Sequence, residues 1–176
     1  MSWLKDGTRK NNLYLTGFLV LILLVLVQVF LTGPNPDTGF QGQEKLAHVV
    51  RVIDGDTVEL LSGEKVRYLG INAPEVGDPW SQMSTELNRD LVEGKDVRLE
   101  YDTEKHDHYN RLLAYVYQGE TFVNKEIVKQ GLAWSYIVEP NDFYAQEIEV
   151  AEADAKQARM GLWARVSLLI TNTINI

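Results

Sequence analysis

The spacing of apolar residues changes character along this chain. Leu13 to Thr32 is an uncharged run of 20 residues in which only Thr16 and Gln28 are clearly polar. As a helix at ~1.5 Å per residue it reaches about 30 Å, the thickness of a bilayer core, so the pattern predicts one membrane-spanning helix. The apolar part of a cleaved leader is shorter, about 7–15 residues, and closes in a small-x-small site. This run closes in Phe30-Leu31-Thr32-Gly33-Pro34, so it reads as an uncleaved anchor. Residues 33–46, rich in Gly, Pro, Asn, Asp and Gln, read as a linker.

From His48 the period drops to two. His48–Ile53 and Thr57–Leu61 alternate on either side of Asp54-Gly55, a strong hairpin signal. Ser62-Gly63 turns the chain into a third strand, Lys65–Ile71. A fourth carries Val97, Leu99 and Tyr101 on one face, and a fifth runs from Leu112 to Tyr117. Helical spacing interrupts these strands. One helix starts at Asp78-Pro79, as N-cap and first turn, and stops at Gly94. A second spans Asn124–Gln130 before Gly131. The third, Asp142–Met160, has an apolar stripe of Tyr144, Ile148, Ala151, Ala155 and Ala158 and stops at Gly161. Strand and helix order predict an α+β domain at 47–165 with a small antiparallel sheet and suggest a closed five-stranded OB-type barrel with three helices. An apolar tail, 166–176, either packs on this domain or docks a protein partner.

Charge narrows the function. The chain carries −8; Lys5, Arg9 and Lys10 against Asp6 give the first twelve residues +2, which leaves −10 for the rest. Non-specific nucleic-acid binding rests on many Lys and Arg contacts to phosphate, so the acidic balance counts against a chromatin-type or structural DNA-binding protein and counts less against an enzyme, which must release its product. The positive residues ahead of the apolar run, with Asp37 the first charge after it, predict a cytoplasmic N-terminus and an extracytoplasmic domain. The absence of cysteine removes disulfides, thiolate metal sites, a cysteine nucleophile and a lipid-modified cysteine.

Four local sequences, VIDGDTVEL (52–60), VRYLGINAPE (66–75), DHYNRLLAYVY (107–117) and VNKEIVKQGLA (123–133), occur in an order and spacing that resemble the staphylococcal nuclease (thermonuclease) family, over about His48 to Trp163. The resemblance implies an endonuclease-like hydrolase that cuts phosphodiester bonds of DNA, RNA or both, with nucleic acid as its partner. It assigns Glu75 as general base or water-orienting group and Arg67 and Arg111 as phosphoryl clamps. Those residue types suit the chemistry. Glu75 follows Pro74 at a strand end that can aim a carboxylate, and two guanidinium forks can hold non-bridging oxygens and offset developing charge. The same three residues would serve equally as a surface ion-pair set were the flanking motifs absent.

The resemblance further implies a calcium ion, with magnesium as the alternative, held by two carboxylates, a backbone carbonyl and waters. Asp56 stands at the first carboxylate and Ala73 at the carbonyl. Asn72 stands at the second, so the site loses one negative charge and binds metal more weakly; Asp54 reads first as a hairpin residue. Tyr109 and His108 fall at positions that contact a terminal phosphate, and Tyr136 at a nucleotide-contacting position, each with a half-buried structural role as the alternative. The loop from Val76 to Glu86 contains no Lys or Arg and includes Asp78, which predicts modest substrate affinity. Two other readings remain at this stage, a non-catalytic OB-type binding module and an accessory subunit of a membrane complex.

Overall fold

The computed structural model describes residues 42–164; the anchor expected at 13–32 and the tail at 166–176 lie outside that range. Among the described residues no helix is long and apolar enough to cross a membrane.

Strand β1 (Gln43–Val52) starts inside the stretch expected to be linker. It pairs antiparallel with β2 (Thr57–Leu60), with a register shift between Val49 and Arg51. β2 continues antiparallel into β3 (Lys65–Tyr68). The expected third strand then breaks. Gly70 sits at φ 76, where a Cβ would be strained and would lie 2.5 Å from Ile148 Cδ1. The chain re-emerges as β4 (Ile71–Asn72), outside the barrel.

Helix α1 (Ser81–Val92) begins three residues later than Asp78, its expected cap. Asp78 is occupied elsewhere: its amide donates to Glu75 O at 2.9 Å, closing a turn, and its carbonyl accepts from Ser81 N and Oγ. Trp80 stands at the helix entrance with φ 73 and supplies no side-chain cap.

β5 (Asp96–Tyr101) returns along the other edge of β1 and pairs with β6 (Leu112–Gln118), which turns into β7 (Thr121–Phe122). The barrel shuts where β3 and β6 pair in parallel, Val66 opposite Leu112 and Tyr68 opposite Ala114. The result is the expected five-stranded closed barrel, lined by Val49, Val58, Leu60, Val66 and Leu99. α2 (Val123–Lys129), β8 (Trp134–Ser135), α3 (Ala145–Ala158) and a 3-10 turn (Gly161–Trp163) complete the described chain. The predicted stripe on α3 is buried at Tyr144, Ile148, Ala151 and Ala155, whereas Ala158 is exposed.

Buried amides hold the irregular joints. Asn88 of α1 accepts from the Tyr68 hydroxyl and donates to Asp54 O, both at 2.9 Å, fixing the β1–β2 turn to the helix. Asn124 of α2 accepts from Val116 N and donates to Leu69 O, satisfying the backbone where β3 ends. A buried carbonyl or amide left without a partner costs about 1–3 kcal/mol, so these side chains decide where the strands may bend.

Candidate active site

The β1–β2 turn and the segment after β3 meet around one guanidinium. Arg67, on β3, donates through Nη1 to the carbonyls of Tyr68 (2.7 Å) and Ile71 (2.8 Å) and through Nη2 to Asn72 Oδ1 (2.7 Å). Its Nη2 also lies 3.2 Å from Asp56 Oδ2. The same Asp56 oxygen accepts from Ala73 N at 2.6 Å, and the other accepts from Thr57 Oγ1. Asp56, Arg67, Asn72 and Ala73 are thus brought together as one fastening. Arg67 is tied down at both terminal nitrogens, leaving Nε as its uncommitted donor. Burial pushes the Asp56 carboxyl up to about 6 from 3.8, although the Arg67 charge and the Ala73 amide pull the other way.

Asp54 Oδ1 accepts from Asp56 N at 3.0 Å, the turn role read from its sequence. Gly55 between them is required by space: a Cβ there would come 1.9 Å from Ser84 Oγ and 2.6 Å from Ala73 Cβ.

A second fastening presents Arg111, the residue ahead of β6. Asp107 Oδ1 accepts from the amides of Tyr109 and Arg111, each at 2.9 Å, and Asp107 Oδ2 accepts from Arg111 Nε at 2.6 Å. Asn110 completes the turn at φ 62. Held at Nε, Arg111 keeps Nη1 and Nη2 available, with its guanidinium carbon 5.5 Å from the centre of the Tyr109 ring. Tyr109 is 71% exposed, and its ring centre lies 3.8 Å from that of His108. Arg67 pairs with Leu113 across β3–β6, and Arg111 stands immediately ahead of the same strand, two residues before Leu113.

Glu75 lies three residues beyond β4 rather than at a strand end. Its carboxylate is exposed and has no hydrogen bond or ion pair among the described residues, while its carbonyl is held in the turn to Asp78. Tyr136 is 54% exposed and anchored by its amide to Gly70 O at 2.8 Å, beside β4. His48 pairs with Asp96 at 2.8 Å, away from these groups in the register, and His106 and His108 are exposed in the 102–110 turn.

No cluster of three or more His, Cys, Asp or Glu suited to a metal occurs among the described residues. The donors that remain, the Asp56 carboxylate, the Asn72 amide oxygen and the Ala73 carbonyl, are all hard oxygens and fit a cation of the calcium or magnesium kind. They offer one negative charge, and Arg67 already donates to the Asn72 oxygen and pairs with the Asp56 carboxylate, so the fit is to a weakly held ion. Asp107 escaped notice in the sequence; its signal was an Asp two and four residues ahead of the amides it accepts from, the Asx-turn spacing followed by an Asn that tolerates positive φ.

Residues 65–165 match the profile of the family described as staphylococcal nuclease homologue. The chain is 34% identical over 165 residues to the thermonuclease of Staphylococcus intermedius, covering 85% of this chain and 97% of that protein. It is 31% identical over 163 residues to the thermonuclease of Staphylococcus hyicus, covering 85% and 96%. To the endonuclease YncB of Bacillus subtilis it is 35% identical over 145 residues, covering 75% and 68%.

Proposed function

The chain belongs to the staphylococcal nuclease family and is a nuclease, and on that premise we propose that Glu75, Arg111 and Arg67 carry its phosphodiester hydrolysis. The observation that supports this most is the parallel β3–β6 pair, which sets Arg67 on β3 beside the start of β6 where Arg111 is held by Asp107, with an exposed carboxylate at Glu75 on the loop after β4. In this reading Glu75 takes a proton from the attacking water. The water oxygen bonds to phosphorus, the bond to the leaving oxygen breaks, and that oxygen takes up a proton from solvent. Arg111 holds the non-bridging oxygens through Nη1 and Nη2, where charge builds. Arg67, committed to its own loop, sets Asn72 in place while Asp56 holds Ala73, and it adds positive charge behind the phosphate.

A divalent cation, calcium first and magnesium as the alternative, would be held by Asp56, Asn72 and the Ala73 carbonyl and would supply further positive charge against the phosphoryl oxygens. Tyr109, His108 and Tyr136 contact the nucleotide. Residues 13–32 anchor the chain in a membrane with the domain on the extracytoplasmic side, and 166–176 offer a contact for a protein partner; the charge and hydropathy pattern support both. Protease protection of the domain in intact cells would contradict that orientation.

The test is hydrolysis of labelled single-stranded DNA and RNA by the full chain, with calcium, magnesium or chelator, beside Glu75→Gln and Arg111→Ala. The glutamine variant is expected to lose about 10²–10⁴ in kcat and the alanine variant about 10³–10⁵. Wild-type rates from either variant would remove that residue from the mechanism.

A further inference from the structure

Next to Glu75 lies a cleft of about 300 Å³ lined by Pro74, Asp78, Pro79, Trp80, Trp134 and Leu162. We propose that this cleft is a base-stacking subsite, in which the indoles of Trp80 and Trp134 receive one nucleobase of the strand being cut. The proposal rests on the nuclease reading of Glu75 and names a substrate contact which that reading leaves open.

Position is the first argument. Trp134 is the direct cross-strand partner of Asn72 in the β4–β8 pair, so it stands on the strand edge that carries the candidate cation ligand. Pro74 lines the cleft and Glu75 follows it in the chain, so whatever enters is within a residue of the candidate general base. The cleft adjoins the site at two points, Pro74 next to Glu75 in the chain and Trp134 opposite Asn72 in the register.

Chemistry is the second. Two indoles, two prolines and a leucine make the walls flat and apolar, and the one charged group among them, Asp78, is negative. From Val76 to Glu86 there is no Lys or Arg. A phosphate would be repelled here; an uncharged aromatic ring would not. The volume lies at the low end of the ~300–1,000 Å³ typical of small-ligand clefts, which suits a single base. Trp80 is also held at φ 73, unusual for a bulky side chain, by the turn that positions Glu75 and Asp78.

Energetics is the third. A domain with this acidic balance draws little affinity from the phosphate backbone, whereas stacking of one base on aromatic side chains is sequence-tolerant and contributes enough to change affinity by roughly ten- to a hundredfold.

The experiment measures kcat and KM of the full chain on single-stranded oligonucleotides, intact and with one abasic residue scanned along the strand. For the wild type, one abasic position near the cut is expected to raise KM about tenfold with kcat little changed. Trp134→Leu should raise KM about tenfold on the intact strand and cancel the extra cost of that abasic position, and Trp134→Phe should restore most of the loss. Trp80→Leu serves as the second variant, with melting curves to confirm that each chain folds. Overturning results are an unchanged KM in both leucine variants, or a rise that is equal on intact and abasic strands. Glu75→Gln keeps the two readings apart. It should lower kcat on every strand while preserving the abasic penalty in strand affinity, read by fluorescence anisotropy. Full activity in that variant would refute the catalytic assignment without touching the subsite.

Discussion

Asp107 governs how Arg111 is presented, because its two oxygens hold the arginine at Nε and at its backbone amide. Burial alone would raise the Asp107 pKa, but the Arg111 amide and guanidinium and the Tyr109 amide hold it below 3.8. Its contribution to stability is therefore present at ordinary pH and lost as pH falls below that value. Asp107→Asn keeps an acceptor for the amides and removes the charge at Nε; kcat should fall about tenfold with a small drop in melting temperature, whereas Asp107→Ala should lower the melting temperature further. Asp56 behaves with the opposite sign. Its folded pKa of about 6 stands above the ordinary 3.8. What protonated Asp56 contributes is complete below 3.8 and lost as pH rises through 6. In chelator, Asp56→Asn should thus gain stability relative to wild type between pH 4 and 7, on the order of 2 kcal/mol. Urea unfolding at the two pH values reads this, and no difference between them would remove the buried charge as its cause.

At the scale of elements, the strands that alternate and end in Gly turns could be read from the chain directly, since periods of two and hairpin residues are local properties. What could not be read depends on distant partners. β4 leaves the barrel because Gly70 turns and Trp134-Ser135 waits to pair with it. α1 starts late because Asp78 closes the Glu75 turn instead of capping. The candidate site residues could be nominated one by one from their flanking motifs, but the engagement of Arg67 by two carbonyls and two side-chain oxygens could not be read, since it exists only once residues 71–73 fold back. Substitution at the joints should show this dependence. Asn88→Ala strands Asp54 O and the Tyr68 hydroxyl, and should cost about 1–3 kcal/mol in denaturant unfolding. Gly55→Ala drives a methyl into Ser84 and Ala73 and should cost a similar amount, with cleavage impaired in proportion to the displaced turn.

For the molecule as a whole, acidity sets the working conditions. With −8 overall and few basic groups near the site, strand affinity should weaken further as salt rises, visible as a KM that climbs between 50 and 200 mM while kcat holds. The parallel β3–β6 pairing has a consequence in time. It joins residues 66–68 to 112–114, the contact that shuts the barrel, with Arg67 within it and Arg111 immediately ahead of it. Loop closure of that span comes at an entropic cost met only when the intervening strands and helix have formed. In the proposed mechanism a partly unfolded chain carries its two arginines apart and should not cut. Recovery of cleavage during refolding should then lag behind helix formation and coincide with the last burial of Tyr68 and Tyr115.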